Sequence, residues 1–196
     1  MSTLALEPIA SRPLRLASLA LGVTASALVR WLANGDSTLI AFAAGTGFGV
    51  ALLLLAAFSG WRAARPRTGP ILIGLGGGAM LLLLPRLLHS GPFIPIGIRP
   101  SPFAVWVAVT ALVGIAEEVV FRGSLLDLLA ERAGLPGAVT LSSLAFALVH
   151  VPLYGWGVVP LDAAVGVWFA GLRLAAGSVA APAAAHVLAD LATWWL

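Results

Sequence analysis

Residues 114–123 read GIAEEVVFRG. An apolar run leads into Glu117 and Glu118, and Val119, Val120 and Phe121 follow them. Two carboxylates and Arg122 therefore fall where apolar side chains otherwise dominate. In a helix, Glu118 and Arg122 are i,i+4 with the acid N-terminal, the favourable order for an ion pair. Pairing lowers the cost of burying both charges. Glu117 lies about 100° further round the helix and cannot share the pair equally. It is left as a carboxylate on the interior of a bundle, a candidate general base. Ionisable residues inside a membrane are expensive and point to function by default.

The rest of the chain makes the membrane reading firm. Of 196 residues, 60% are hydrophobic and only 10% charged, with a mean hydropathy of +1.03. A soluble domain carries roughly a quarter charged residues, so this chain could not cover a water-facing surface. At about 20 residues per span there is room for six to eight helices in one integral-membrane domain, 1–196. Cysteine is absent, which excludes disulfides, zinc ribbons and a cysteine nucleophile. All eleven basic residues are arginine, so Schiff-base and P-loop lysine chemistry are excluded as well. The pI near 11.0 reflects scarce acids. No arginine stripe suggests a nucleic-acid partner. The partners expected are the lipid bilayer and a membrane-associated peptide or protein.

Seven apolar segments emerge, at about 14–33, 37–60, 70–88, 103–121, 136–153, 160–176 and 179–195. Backbone groups in lipid must be satisfied internally, and strand alternation is missing, so the segments read as helices. The fold class is all-α, a polytopic transmembrane bundle. GSLLDLLAERAG, after the fourth segment, reads as a short amphipathic interfacial helix with Asp127, Glu131 and Arg132 on its wet face. Gly45 and Gly49 form a small-xxx-small face, and Gly76 to Gly78 read as close packing or a kink. No internal repeat is evident, which argues against an inverted-repeat transporter.

Arginine placement sets the orientation. Arg12 and Arg15 precede the first helix; Arg62, Arg65 and Arg67 follow the second; Arg122 and Arg132 follow the fourth; Arg173 ends the sixth. All fall on one side, with Arg86 and Arg99 as exceptions. The expectation is a cytoplasmic membrane protein, bacterial by its Arg, Ala, Leu and Gly bias, with a short cytoplasmic N-terminal tail. Trp194 and Trp195 then anchor the outer interface, and Tyr154 and Trp156 an outer loop. Asp162 reads as the cap of the sixth helix, Asp36 as a turn residue and His89 as interfacial. Arg30, Arg86 and Arg173 read as snorkelling side chains.

Beyond the fourth segment, FALVH puts Phe146 and His150 on one helix face, and HVLAD does the same for His186 and Asp190. Three helices thus each present a polar face. A carboxylate and two imidazoles can deprotonate a water, and Glu117, His150 and His186 could equally hold a divalent metal such as zinc. There is no HExxH helix and no GxSxG elbow.

These stretches carry a family resemblance. EEVVFR resembles the EExxxR motif of the CPBP intramembrane proteases, the group of the type II CAAX prenyl endopeptidase and the bacterial Abi proteins. FALVH resembles its FxxxH motif and HVLAD its HxxxN or HxxxD motif. All three stand in order within residues 101–196, the catalytic core that the resemblance implies. Residues 1–100 contribute helices of generic character. The resemblance implies an intramembrane endopeptidase whose site opens toward the cytoplasm. It implies that Glu117 activates water with His150, that Glu118 holds Arg122, and that His186 and Asp190 face the scissile carbonyl. An ionised aspartate accepts hydrogen bonds only, so Asp190 must be protonated, orient His186 or ligate a metal. Two other classes remain open: a proton- or ion-coupled carrier, and a non-catalytic scaffold or immunity protein.

Overall fold

A computed structural model describes residues 11–33, 37–65, 67–88 and 102–195. Asp36, His89 and Arg99 lie outside the described residues. The described residues form helices joined by short connections and contain no strand. Seven α-helices follow in order: α1 Ser11–Leu32, α2 Thr38–Phe58, α3 Thr68–Leu88, α4 Phe103–Glu118, α5 Leu126–Tyr154, α6 Val159–Ala176 and α7 Ala180–Ala192. A π-helical turn, Val119–Leu125, joins α4 to α5, and a 3-10 turn, Trp156–Val158, precedes α6. Pro13–Leu32, Thr38–Phe58, Phe103–Tyr154 and Trp156–Ala176 are long and apolar enough to cross a membrane, while Thr68–Leu83 and Ala180–Ala192 are shorter apolar helices. Leu54, Phe58 and Leu72 are among many large apolar side chains on the outer surface, the surface a bilayer solvates.

Local chemistry sets the helix ends. Ser37 caps α2 by accepting from the Ile40 amide at 3.2 Å. Gly134 breaks α5 with φ 67° and ψ 173°, a conformation that disfavours any residue with a Cβ. The expected amphipathic helix is the part of α5 before this break. It is continuous with α4 through the π turn, and Asp127, Glu131 and Arg132 are exposed on it. Gly177 ends α6 in the left-handed region, φ 62°.

Small residues let the helices approach. A Cβ at Gly45 or Gly49 would stand 2.8 Å from Val109 or 2.9 Å from Leu112, so these glycines seat α2 on α4. On α3, Gly78 meets the backbone of Ala185 and Gly74 that of Ala181 on α7. Gly76 faces open space. The glycine-rich stretch therefore packs on α7 through Gly74 and Gly78, one turn apart, and on Leu172 of α6 through Gly77, and α3 runs on unbroken to Leu88. The helices α5 and α6 pack together, and α7 lies between α3 and α4. Val120, Phe121, Phe146 and Phe169 form the centre of the core at the level of the π turn.

Candidate active site

The π turn follows the paired glutamates directly, and all seven of its residues are buried. Such turns are rare and recur at functional sites. Glu118 and Arg122 are both fully buried, and Arg122 Nη1 donates to Glu118 Oε1 at 3.0 Å. Nη2 donates to the Gly166 carbonyl on α6 at 3.0 Å. The guanidinium lies 4.4 Å from the centroid of Phe146, a cation–π contact that helps offset its desolvation. Gly166 has no side chain to block this approach; a Cβ there would stand 3.1 Å from Nη2. The i,i+4 pair read from the sequence is thus also a tie between α4 and α6.

The pair extends to α7. His186 Nδ1 lies 2.9 Å from Glu118 Oε1. An ionised carboxylate only accepts, so Nδ1 carries the proton. The ring of His186 stacks on Phe169 with centroids 5.0 Å apart and meets the edge of Phe146 at 5.7 Å. Its Nε2 faces Asp190 Oδ2 at 3.4 Å and Glu117 Oε2 at 3.7 Å. On α5, His150 Nδ1 lies 2.8 Å from the Phe146 carbonyl. A carbonyl also only accepts, so the proton sits on Nδ1, and the lone pair of a neutral His150 is on Nε2. That Nε2 lies 3.9 Å from Glu117 Oε2. Glu117, His150, His186 and Asp190 therefore converge from α4, α5 and α7, with Glu118 and Arg122 directly behind them.

Two further residues reach the site, against their bland sequence readings. Arg30, near the end of α1, does not snorkel away: its Nη1 lies 3.7 Å from Glu117 Oε1, with the guanidinium 4.8 Å from the centroid of Phe48. Asp162 does not cap α6, whose N-cap is Val158. It stands in the first turn with Oδ2 3.6 Å from His150 Nδ1. A helical wheel fixes only which residues share a face; the contacts of Arg30 and Asp162 depend on how α1 and α6 pack. Arg173 lies 3.7 Å from Asp127.

The residues fit a metal poorly. Four ligands about 2.1 Å from a zinc ion stand roughly 3.4 Å from one another. The two Nε2 atoms stand 3.7 and 3.9 Å from Glu117 Oε2, and Glu118 Oε1 is already engaged by Arg122 and His186. Among the described residues, no group of three such side chains is disposed as a metal centre.

A cavity of about 1400 Å³ leads to this cluster. Glu117, Phe146, Phe169 and His186 form its floor, and apolar residues of α2, α4 and α6 its walls. Ser37, Trp106, Tyr154, Leu161 and Thr193 line its far end, all at the helix ends opposite the start of α1.

Residues 99–192 match the model of the family described as type II CAAX prenyl endopeptidase Rce1-like. No curated protein and no solved structure matches the chain. The matched segment spans α4 to α7 and holds all three motif stretches. Over residues 99–192 this multi-pass membrane protein is therefore similar to the Rce1-like, type II CAAX prenyl endopeptidase family.

Proposed function

We propose that the chain is an intramembrane endopeptidase that hydrolyses a peptide bond of a membrane-associated substrate with water activated by Glu117 and His150. One observation carries the reading: Glu117 Oε2 and the Nε2 atoms of two histidines converge, at 3.7 and 3.9 Å, on the floor of a deep apolar cavity. The 3.9 Å between Glu117 and His150 lets one water hydrogen-bond to both. Glu117 takes a proton from that water as its oxygen attacks the scissile carbonyl. The same proton then passes to the leaving amine as the C–N bond breaks, so the carboxylate is regenerated.

The carbonyl oxygen becomes an oxyanion and needs a donor. His186 stands between the carboxylates of Glu118 and Asp190, placed to hold a proton on each nitrogen. Its Nε2–H is the donor the site offers. Asp190 then acts by keeping that proton in place, which its acceptor-only chemistry allows. Glu118 and Arg122 fix the ring from behind. Burial of Glu118, Arg122 and His186 strengthens the interactions among them.

Cleavage of membrane-anchored peptides by the purified, detergent-solubilised protein tests this. Glu117→Gln keeps the shape and removes the base, and general-base loss is worth roughly 10²- to 10⁴-fold in rate. A drop of that size with the thermal melt unchanged is expected. Cleavage unchanged in Glu117→Gln would sink the assignment and return the polar cluster to a carrier or a scaffold.

A further inference from the structure

We infer that Asp162 is a positioning residue of the reaction: from the Nδ1 side of His150 it holds the imidazole with Nε2 turned to Glu117 and the attacking water. This rests on the hydrolytic reading above and adds to it a residue outside the three motif stretches.

The connection between α5 and α6 brings the two side chains together. Helix α5 ends at Tyr154, and Gly155 turns the chain with φ 81°, a conformation open to glycine. The 3-10 turn Trp156–Val158 follows, and α6 starts at once at Val159. The two helices therefore pack side by side as a hairpin. His150 stands one turn before the end of α5, and Asp162 lies in the first turn of α6. They face each other across the hairpin at the same level, with Asp162 Oδ2 3.6 Å from His150 Nδ1. Both side chains are largely buried, at 16% and 22% exposed for His150 and Asp162, so water screens the contact only in part. Both line the cavity that holds Glu117.

Asp162 supplies what the other contacts of the ring do not. Phe146 meets the imidazole edge-on with centroids 4.7 Å apart, and Tyr154 stacks on it at 6.0 Å. Those contacts hold the plane of the ring. The Phe146 carbonyl, 2.8 Å from Nδ1, accepts its proton, but it is neutral. Asp162 brings a negative charge to the same nitrogen. That charge favours the tautomer with the proton on Nδ1 and leaves the Nε2 lone pair for water. As Nε2 accepts from the attacking water, positive charge grows on the ring, and a carboxylate on the opposite nitrogen stabilises it. The resting 3.6 Å exceeds a hydrogen bond; such contacts tighten when substrate binds. Glu117 faces the ring from the other side, with Oε2 3.9 Å from Nε2. His150 thus stands between two carboxylates, one acting on the water and one on the ring, much as His186 stands between Glu118 and Asp190.

An acid in the first turn also stabilises its own helix through the macrodipole, so stability alone does not identify the role. Asp162→Asn keeps the shape and removes the charge. In cleavage of membrane-anchored peptides it should lower kcat about tenfold, less than loss of the base itself, with KM and the thermal melt unchanged. Asp162→Glu restores the charge on a longer side chain and should recover part of the loss. Unchanged kcat, or a raised KM with kcat intact, would overturn the proposal. A melt that falls together with kcat would do so too, by assigning Asp162 to the fold of α6.

Ring-nitrogen NMR of histidine-labelled protein reads the contact without any cleavage. The chain has three histidines, and the His150 signals are identified by their loss in His150→Gln. Asp162→Asn should shift the Nδ1 signal of His150 and leave those of His186 in place. Unmoved His150 signals would overturn the contact. Shifted signals in a chain that cleaves no peptide even when unsubstituted would instead be a failure of the hydrolytic reading, with the Asp162–His150 pair standing apart from it.

Discussion

His186 donates its Nδ1 proton to Glu118 Oε1 across 2.9 Å, and the same oxygen accepts from Arg122 at 3.0 Å. One carboxylate oxygen thus joins the C-terminal helix to the π turn, and through Arg122 to Gly166 of α6. Position in the site and stability of the bundle are coupled at this atom. His150 is different, since its Nδ1 bonds a backbone carbonyl of its own helix. His186→Ala should therefore destabilise the protein by about 1.5–3 kcal/mol, the range for losing a bond to a charged group, and His150→Ala by about 1 kcal/mol. Tryptophan fluorescence during thermal unfolding in detergent reads the difference. Equal melting shifts for the two variants would refute the coupling.

The glycines of α3 make an equally direct contrast. Gly78 lies against the Ala185 backbone, where a Cβ would stand 2.8 Å from the carbonyl oxygen, while Gly76 faces open space. Gly78→Val should cost about 1–3 kcal/mol by forcing α3 away from α7, and with it disturb His186. Gly76→Ala should be neutral or slightly stabilising, because alanine is the better helix former. Side-by-side melts of the two variants check this, and a Gly78→Val protein as stable as the parent would show that α3 and α7 are not held this closely.

Much of this arrangement was legible in the sequence, and the limits have a physical origin. The seven apolar segments appear because a bilayer demands about 20 apolar residues per crossing. The Glu118–Arg122 pair follows from helical spacing alone. The convergence of Glu117, His150 and His186 was inferred because buried polar faces need one another. The π turn was invisible, since no proline or glycine breaks EEVVFR before Gly123. Arg30 and Asp162 were assigned to the lipid boundary and to a cap because neither has a charged partner at i,i+3 or i,i+4 on its own helix. Only the packing of α1 and α6 brings them to Glu117 and His150.

Asp190 gives a sharper test of roles. Its Oδ2 lies 3.4 Å from His186 Nε2, and its side chain is partly exposed at 41%. Asp190→Asn keeps the shape and an acceptor oxygen but removes the charge. The expected result is an unchanged melt and unchanged KM, with kcat lowered about tenfold. That is less than the 10²- to 10³-fold seen when an oxyanion donor is removed. A rise in KM with kcat intact would mean that Asp190 binds substrate and leaves the His186 proton alone.

Chelation separates the two water-activating chemistries. The Nε2 atoms of His150 and His186 each stand further from Glu117 Oε2 than two ligands of a zinc tetrahedron do, and no three such groups among the described residues form a metal centre. Cleavage should survive dialysis against a strong chelator, and added zinc should not raise it. Activity lost on dialysis and restored by stoichiometric zinc would show that the site closes around a metal, with Glu117 and the histidines as its ligands.

Arg30 ties the N-terminal half of the chain to Glu117. Its Nη1 stands 3.7 Å from Glu117 Oε1, on the oxygen that the histidines do not face. The side chain is 24% exposed, so the pair is partly screened and worth about 1 kcal/mol or less in stability. Its effect on the reaction is different in kind. A cation on Oε1 turns Oε2 toward the histidines and keeps the base oriented before substrate arrives. Arg30→Gln should leave the melt within about 1 kcal/mol and KM unchanged, while kcat falls roughly tenfold, equivalent to about 1.4 kcal/mol of barrier. Arg30→Lys keeps the charge and should recover part of the loss, although a lysine ammonium cannot stack on Phe48 as a planar guanidinium does. Steady-state kinetics of the three proteins decide the matter. If Arg30→Gln matches the parent in both kcat and KM, Arg30 is a bystander and Glu117 is oriented from the histidine side alone. If KM rises and kcat holds, the arginine serves instead to bind the peptide on its way to the floor of the cavity.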